Sequence, residues 1–286
     1  MKADVSFLGF GEAALAFATA QGWRSSASAY DRKFDDPTQA DTKRQDCLHA
    51  SVTPAASAAE AAKACGFILS LVTADQALAA AASVAGALHP GTLYCDGNSV
   101  APQTKQAAAG VIEAAGGHYV DMAIMAPVYP AQLSVPVLLS GAQAQSAARA
   151  LIALGFTNIR IIGDDVGRAS TIKMLRSVMV KGIEALTAEC LLACEKAGVA
   201  DEVLCSFGNS VGSEDWANGA NYRLDRMIMH GLRRAAEMEE VALTLEGLGV
   251  APLMTRGTVE RQRQIGSRRV RPLPDTLAAK LEWLIP

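Results

Sequence analysis

A short apolar strand that runs straight into a Gly-x-Gly turn constrains this chain more than any other feature. Val5 to Ala14 read VSFLGFGEAA, and the apolar stretch Leu15 to Ala20 follows. Such a strand, turn and helix form the arrangement a dinucleotide pyrophosphate requires. Gly9 permits the tight turn, Gly11 lets the backbone approach the phosphates, and the helix N-terminus supplies free N–H groups and a favourable dipole. Ala14 stands at the third, small position of the fingerprint, where helix and strand pack closely. The pyrophosphate is expected over Gly9, Phe10, Gly11, Glu12 and Ala13. The next strand, Ser28 to Tyr30, ends in Asp31, twenty-two positions after Gly9, where a carboxylate would meet the adenosine ribose. Arg32 and Lys33 compete with that reading, since they could hold the 2′-phosphate of NADP. The expected cofactor is therefore NAD or NADP, the plainer alternative being a Gly-rich turn in an ordinary α/β domain.

Up to about Ile162 the pattern is strand, turn, helix, repeated. Ser57 with Glu60 forms a capping box before an Ala-rich helix. Phe67 to Val72 (FILSLV) is a strand of the buried parallel type. Asp75 is placed to cap the next helix. Leu93 to Asp96 is a strand, and Pro102 suits the first turn of a helix through Ala115. Strands at Tyr119 to Ile124, Val137 to Ser140 and Asn158 to Ile162 complete the set. After Gly167 strand signals stop. Helices fit Ala169 to Lys196, with Gly198 as its C-cap, then Glu202 to Ser210, Tyr222 to Leu248, Pro252 to Gln264 and Pro274 to Leu284. The expected fold is α/β: a Rossmann-type doubly wound sheet in residues 1–165, followed by an all-α domain in residues 166–286. A cleft at their join is a natural place for a small-molecule substrate.

Half of the 286 residues are apolar and 19% are charged, so the chain is globular. A net charge of −3 provides no electrostatic reason for a nucleic-acid or anionic-membrane partner. No apolar run has the length of a membrane span, and with the first strand so near Met1 no signal peptide is expected. The cysteines (Cys47, Cys65, Cys95, Cys190, Cys194 and Cys205) include no Cys-x-x-Cys pair. No metal site is expected, and a reducing cytoplasm is the default location.

Three further segments carry a family resemblance. Asp96 to Pro102 (DGNSVAP) resembles the Asp-x-Ser-Thr-x-x-Pro motif of the β-hydroxyacid dehydrogenase superfamily, which includes 3-hydroxyisobutyrate, tartronate semialdehyde and 6-phosphogluconate enzymes. Asp121 to Pro127 (DMAIMAP) lies where that family has Asp-Ala-Pro-Val-Ser-Gly-Gly. Gly163 to Ser177 (GDDVGRASTIKMLRS) resembles the segment carrying the family's catalytic lysine. His230 to Val241 (HGLRRAAEMEEV) is similar to a subgroup of 6-phosphogluconate dehydrogenase-like proteins with a helical C-terminal domain of unknown function.

The resemblance implies hydride transfer between nicotinamide and the carbinol carbon of a small β-hydroxy acid, with Lys173 as general acid/base and a homodimer formed through the helical halves. It places Leu71, Val72, Thr73 and Ser99 near the cofactor, and Asn98, Met125, Ala126, Pro127, Ser177 and Arg233 near the substrate. Departures from the family pattern bear on specificity. Ser177 replaces an asparagine, Ala169 replaces a glycine, and Met125, Ala126 and Pro127 replace the Ser-Gly-Gly turn that holds the substrate carboxylate. Proline has no N–H to offer. A larger or less polar hydroxy substrate is therefore expected, with any carboxylate captured by Arg233 or Asn98.

Each residue also has a plainer reading. Most helical lysines are solvated, and a free lysine titrates near about 10.4, so a base at Lys173 needs burial or a neighbouring cation such as Arg176 or Arg233. Asn98 and Ser99 are good turn-capping residues. Leu71 to Thr73 fit a plain strand end equally well. Arg233 and Arg234 are spaced to pair with Glu237 or Glu240 along a helix. Arg261, Arg263, Arg268, Arg269 and Arg271 read as a solvated or subunit-facing surface. Two other functions stay open. AIMAPV resembles the imine reductase branch, which usually lacks the lysine, and a non-catalytic nucleotide-sensing protein would keep the fold without the chemistry.

Overall fold

The computed structural model describes residues 3–210, 215–268 and 272–285. The chain divides into two compact units, Met1–Met174 and Leu175–Pro286.

The first unit is an eight-stranded sheet flanked by helices. Its strands are β1 (Val5–Leu8), β2 (Ala27–Tyr30), β3 (Val52–Pro54), β4 (Phe67–Ser70), β5 (Leu93–Asp96), β6 (His118–Ile124), β7 (Val137–Ser140) and β8 (Ile159–Ile161). They lie in the order β3-β2-β1-β4-β5-β6-β7-β8. Every pairing is parallel except β6 with β7, so the chain order reverses beside β1, between β2 and β4. The helices are α1 (Glu12–Ala18), α2 (Ala40–His49), α3 (Ala58–Ala64), α4 (Ala77–Ala85), α5 (Pro102–Ala114) and α6 (Ala144–Ala153). Alternate strand residues feed two cores. Val5, Phe7, Phe67 and Leu69 join Phe17 of α1 and Leu151 of α6, whereas Leu8 and Ile68 join Ala61 of α3, Val84 of α4 and Ile112 of α5. A sheet covered on both faces explains why its strands read as apolar runs rather than alternating ones.

The second unit is helical. Among the described residues all strands precede α7 (Arg168–Ala197), and α8 (Ala200–Ser210), α9 (Trp216–Gly247), α10 (Leu253–Ser267) and α11 (Leu277–Leu284) follow. Its core holds Ala188, Leu191, Leu224, Met227, Ile265 and Leu281. Helices α9 and α10 cross at two glycines so closely that a Cβ on Gly231 would lie 2.4 Å from the Gln262 carbonyl oxygen. No described helix is long and apolar enough to cross a membrane.

Local sequence accounts for several element ends. Ser57 Oγ accepts the Glu60 N–H at 3.1 Å, as a capping box requires, while the Glu60 carboxylate reaches one residue past the cap to the Ala56 N–H. Val199 N–H bonds the Cys194 carbonyl after Gly198, closing α7. Four expectations are corrected. Asp75 does not cap α4: it lies within a 3-10 turn, Ala74–Gln76, and its carboxylate accepts from the Gln76 amide at 2.7 Å. The strand at Phe67 stops at Ser70, because the Val72 N–H turns to the Asn98 side chain. Helix α9 begins at Trp216 rather than Tyr222, since Asp215 caps it by accepting the Asn218 N–H. Helix α11 begins at Leu277 rather than Pro274, with Thr276 as its cap.

Candidate functional site

Gly9 follows β1 with φ +82, and a Cβ there would lie 2.6 Å from the Leu71 carbonyl oxygen. Only glycine fits both the left-handed backbone and that close approach. Gly11, the N-cap of α1, has ordinary extended backbone, and a Cβ on it would meet nothing within 4 Å. The space beside it is open, and no side chain caps the helix start. The first-turn N–H groups of a helix have no intrahelical acceptor. A residue that must be glycine, an open approach and an uncapped helix end suit a pyrophosphate. Ala14 is fully buried, as helix–strand packing at that position requires.

Asp31 follows β2 directly and reaches back to the turn. Its Oδ2 accepts the Phe10 N–H at 2.7 Å, and its Oδ1 accepts the Lys33 N–H at 2.9 Å. The carboxylate thereby couples the end of β2 to the Gly-x-Gly loop. Lys43 of α2 donates to the Phe10 carbonyl at 3.1 Å and pairs with Asp46 at 2.7 Å. Phe10 itself is buried against Phe7. Glu12 is exposed and Ala13 half-buried at the helix start. Arg32 is exposed and donates to the Gln76 side chain.

The ends of β4 and β5 meet at Asn98. Its Oδ1 accepts the Val72 N–H at 2.6 Å, its Nδ2 donates to Ser70 Oγ at 3.0 Å, and its own N–H goes to Asp96. The side chain is buried and its amide is committed to the strand ends. Leu71 and Val72 are half-buried and Thr73 is exposed at the same edge. One residue beyond Asn98, Ser99 Oγ accepts a hydrogen bond from Lys173 Nζ at 2.6 Å. Ser99 and Lys173 come from distant parts of the sequence, and Lys173 is half-buried in the second turn of α7. A paired lysine and hydroxyl at the carboxyl ends of the strands lie where doubly wound sheets bind ligands.

Below this pair is a buried charged system that the sequence reading missed. Lys105, fully buried on α5, donates to the Asp96 carbonyl at 2.6 Å and to Asp96 Oδ1 at 3.0 Å. Its ammonium also lies 3.3 Å from Asp121 Oδ1, an ion pair too poorly aligned to be a hydrogen bond. Burial works against this ammonium, but Asp96 and Asp121 outweigh it and hold it above its ordinary value. Tyr119 donates to Asp96 Oδ2 at 2.6 Å, and burial together with the Asp96 charge pushes its phenol up. Asp121 Oδ2 accepts the Ser170 N–H at 2.9 Å, and Ser140 Oγ accepts the Ala169 N–H at 3.1 Å, so two side chains cap the first turn of α7. One signal was available. Lys105 shares a helical face with Ala108, Ala109 and Ile112, and a lysine in an apolar stripe needs a buried partner.

The turn at Met125 to Pro127 is largely apolar. Met125 gives its N–H to the Pro136 carbonyl at 2.9 Å and packs near Ala123, Leu138 and Ala169. Ala126 is half-buried and Pro127 exposed. In the second unit, Ser177 is buried one turn beyond Lys173 on the same helix. Arg233 pairs with Glu237, as helical spacing anticipated, and Glu237 also holds the buried Lys181 at 2.6 Å. Burial pushes the Lys181 ammonium below its ordinary value against the pull of Glu237. Arg234 pairs with Glu184. Arg261 binds Glu189 at 2.7 Å, Arg263 binds Glu239 and Glu260, and Arg268 donates to the Leu284 carbonyl. Arg269 and Arg271 lie outside the described residues.

Comparison with known proteins adds to this geometry. Residues 21–156 match the NAD binding domain of 6-phosphogluconate dehydrogenase, and residues 195–265 match a domain of unknown function, DUF1932. The first match begins after the Gly-x-Gly turn, so the turn stands on its own geometry. A conserved hypothetical protein from Sinorhizobium meliloti 1021 is 37% identical, with 98% of this chain and 95% of that one covered and a TM-score of 0.73. A Mycobacterium tuberculosis 3-hydroxyisobutyrate dehydrogenase, determined with L-serine, has a TM-score of 0.75 over 99% of both chains at 15% identity, a likeness of fold. An uncharacterized 28.5 kDa protein of Methanothermus fervidus is 29% identical over 166 residues, which are 58% of this chain and 63% of that protein. The chain thus spans less than two thirds of that curated relative.

Proposed function

Because the chain belongs to the family that joins a 6-phosphogluconate dehydrogenase-type NAD-binding domain to a DUF1932 domain, we propose that it is an NAD(P)-dependent oxidoreductase acting on a hydroxy compound of the β-hydroxy acid class. The observation that carries this reading is the 2.6 Å contact between Lys173 Nζ and Ser99 Oγ at the end of β5.

NAD or NADP, when bound, supplies the hydride acceptor or donor at its nicotinamide ring. Gly9, Gly11 and the start of α1 would hold its pyrophosphate, and Asp31 its adenosine ribose. In oxidation, neutral Lys173 accepts the proton of the substrate hydroxyl as the carbinol carbon gives up its hydride. In reduction its ammonium donates that proton to the carbonyl oxygen. Ser99 fixes the direction of the lysine nitrogen and is placed to orient the substrate oxygen. Met125 to Pro127 present apolar surface in place of a polar turn, which favours an alkyl- or aryl-substituted substrate over a phosphorylated sugar acid.

Loss of a general acid–base typically costs about 10² to 10⁴ in rate. Lys173→Ala lowers turnover by that factor and leaves cofactor affinity nearly unchanged. Wild-type turnover in this variant would remove Lys173 from the mechanism and favour reduction of an imine, whose iminium carbon needs no such acid. We propose in addition a homodimer formed through the helical half. Leu175, Met179, Ile183 and Leu186 form one exposed apolar stripe on α7, a face that a second copy would cover. Sedimentation as a stable monomer would contradict this.

A further inference from the structure

We propose that Lys105 is a positioning residue, which acts through Asp96 and Asp121 to hold Ser99 and Lys173 within hydrogen-bond reach. The inference rests on the reading of Lys173 as the acid/base group.

The contacts close a ring. Ser99 lies three residues after Asp96, and Lys173 three residues after Ser170. Lys105 binds the Asp96 carbonyl and carboxylate, and its ammonium faces Asp121. Asp121 in turn takes the Ser170 N–H through its other oxygen. The last link is the Lys173–Ser99 contact. One side of the ring therefore fixes the loop after β5, and the other fixes the first turn of α7. Lys105, Asp96 and Asp121 are all fully buried. A buried ion pair is poor at adding stability, since well-packed apolar side chains often do as well, and specifying one arrangement is among its attested uses. The buried face of α5 is otherwise Ala108, Ala109 and Ile112, which an apolar residue at position 105 would have continued. The β5–β6 register sets Asp96 and Asp121 side by side, and a cation at position 105 lies against both carboxylates and offsets their repulsion. Those carboxylates lie at the base of the two segments that carry Ser99 and Lys173.

Asp121→Asn tests the ring with little threat to folding. Asparagine has one side-chain oxygen, so either the Lys105 contact or the Ser170 cap is lost while the Lys105–Asp96 pair remains. Lys105→Met with Asp121→Asn removes the cation without leaving two unpaired carboxylates. The readout is competitive acetylation of the full-length protein by acetic anhydride across a pH series, with each lysine followed by mass spectrometry and exposed Lys33 as internal reference. Ser99→Ala shows what loss of the contact does to Lys173. In both network variants, provided they melt cooperatively, the rate and pH profile at Lys173 shift toward the Ser99→Ala values while Lys33 is unchanged. On any hydroxy substrate the wild type oxidises, kcat falls by about ten- to a hundredfold with KM kept, the cost of misplacing a reacting group by about an ångström. Folded variants with a wild-type Lys173 profile overturn the proposal. So does a Ser99→Ala profile equal to wild type, since there would be no contact to hold, and so does failure of both variants to fold, which would make the network a folding element only. Acetylation needs no substrate. A protein that oxidises no hydroxy compound would therefore sink the catalytic reading, while the acetylation profiles still decide whether Lys105 holds the Lys173–Ser99 contact.

Discussion

Replacing Gly9 and Gly11 separately by alanine distinguishes what the turn does for the fold from what it does for a nucleotide. At Gly9 the backbone has φ +82, and an alanine Cβ would lie 2.6 Å from the Leu71 carbonyl oxygen and 2.9 Å from Val72 Cγ1. The left-handed backbone costs an L-residue about 1–2 kcal/mol. Relieving an overpacked contact against rigid backbone adds about 1–3 kcal/mol. Gly9→Ala should thus lose about 2–5 kcal/mol, which lowers Tm by roughly 4–20 °C in a unit of this size. Gly11 differs in both respects: its backbone is extended, and an added methyl meets nothing within 4 Å. Gly11→Ala should cost under about 1 kcal/mol, the preference for glycine over alanine at an N-cap. Its methyl would enter the open space assigned to the pyrophosphate, so affinity for NAD(P)H should fall at least about tenfold, or about 1.4 kcal/mol. Scanning calorimetry measures the first effect and nucleotide fluorescence titration the second. A Gly9→Ala protein that melts with wild type would refute the steric argument. A Gly11→Ala protein that keeps wild-type cofactor affinity would refute the placement of the pyrophosphate.

Three further outcomes follow from buried contacts. Lys105→Met alone strands the Asp96 and Asp121 carboxylates and should destabilise the protein by about 3–5 kcal/mol in urea unfolding; adding Asp121→Asn should restore part of that loss, and no restoration would show that the charges are uncoupled. The Lys105 ammonium is held above its ordinary value of 10.5, so the stability it adds is complete below that pH and is lost as pH rises through the raised value. Relative to the Lys105→Met/Asp121→Asn double variant, the wild type should therefore lose stability above pH 10.5, and parallel curves would contradict the assignment. Gly231→Ala drives a Cβ to 2.4 Å from the Gln262 carbonyl oxygen, so the α9–α10 crossing must open; a cost of about 1–3 kcal/mol is expected in a thermal melt, and an unshifted melt would mean the two helices separate freely.

What could be read from the sequence depended on whether a signal was local. The Gly9 turn, Ala14, the Ser57–Glu60 box and Gly198 each depend on the chemistry of a few adjacent residues, and all four behave as read. Helix α2 and strand β3 went unseen for a physical reason. The helix sequence ADTKRQDCLH is polar and buries only Ala40 and Cys47, so it has no apolar periodicity. The strand is three residues long and ends in Pro54 at the sheet edge, where proline is tolerated because no ladder N–H is needed. At the site, Ser99 and Lys173 were legible through motifs that resembled a family, but their contact was not, because it joins residues 74 positions apart. Asn98 was expected near the substrate, yet its amide is spent on Val72 and Ser70, a commitment only the folded strand ends reveal. Lys105 could have been singled out as a lysine in the apolar stripe of α5, but its partners could not, since Asp96 and Asp121 lie on two different strands.

The central claim is that Lys173, held by Ser99, moves the proton in a nicotinamide-dependent oxidation. Its most direct test follows nucleotide absorbance while wild type and Lys173→Ala are offered a panel of β-hydroxy acids, β-hydroxy amino acids, sugar acids and cyclic imines with NAD and with NADP. The account predicts that wild type oxidises at least one apolar-substituted hydroxy compound, and that Lys173→Ala binds the cofactor equally well but turns over about 10² to 10⁴ more slowly. Equal turnover by the two proteins, or the absence of cofactor binding at submillimolar concentration in the wild type, would contradict it.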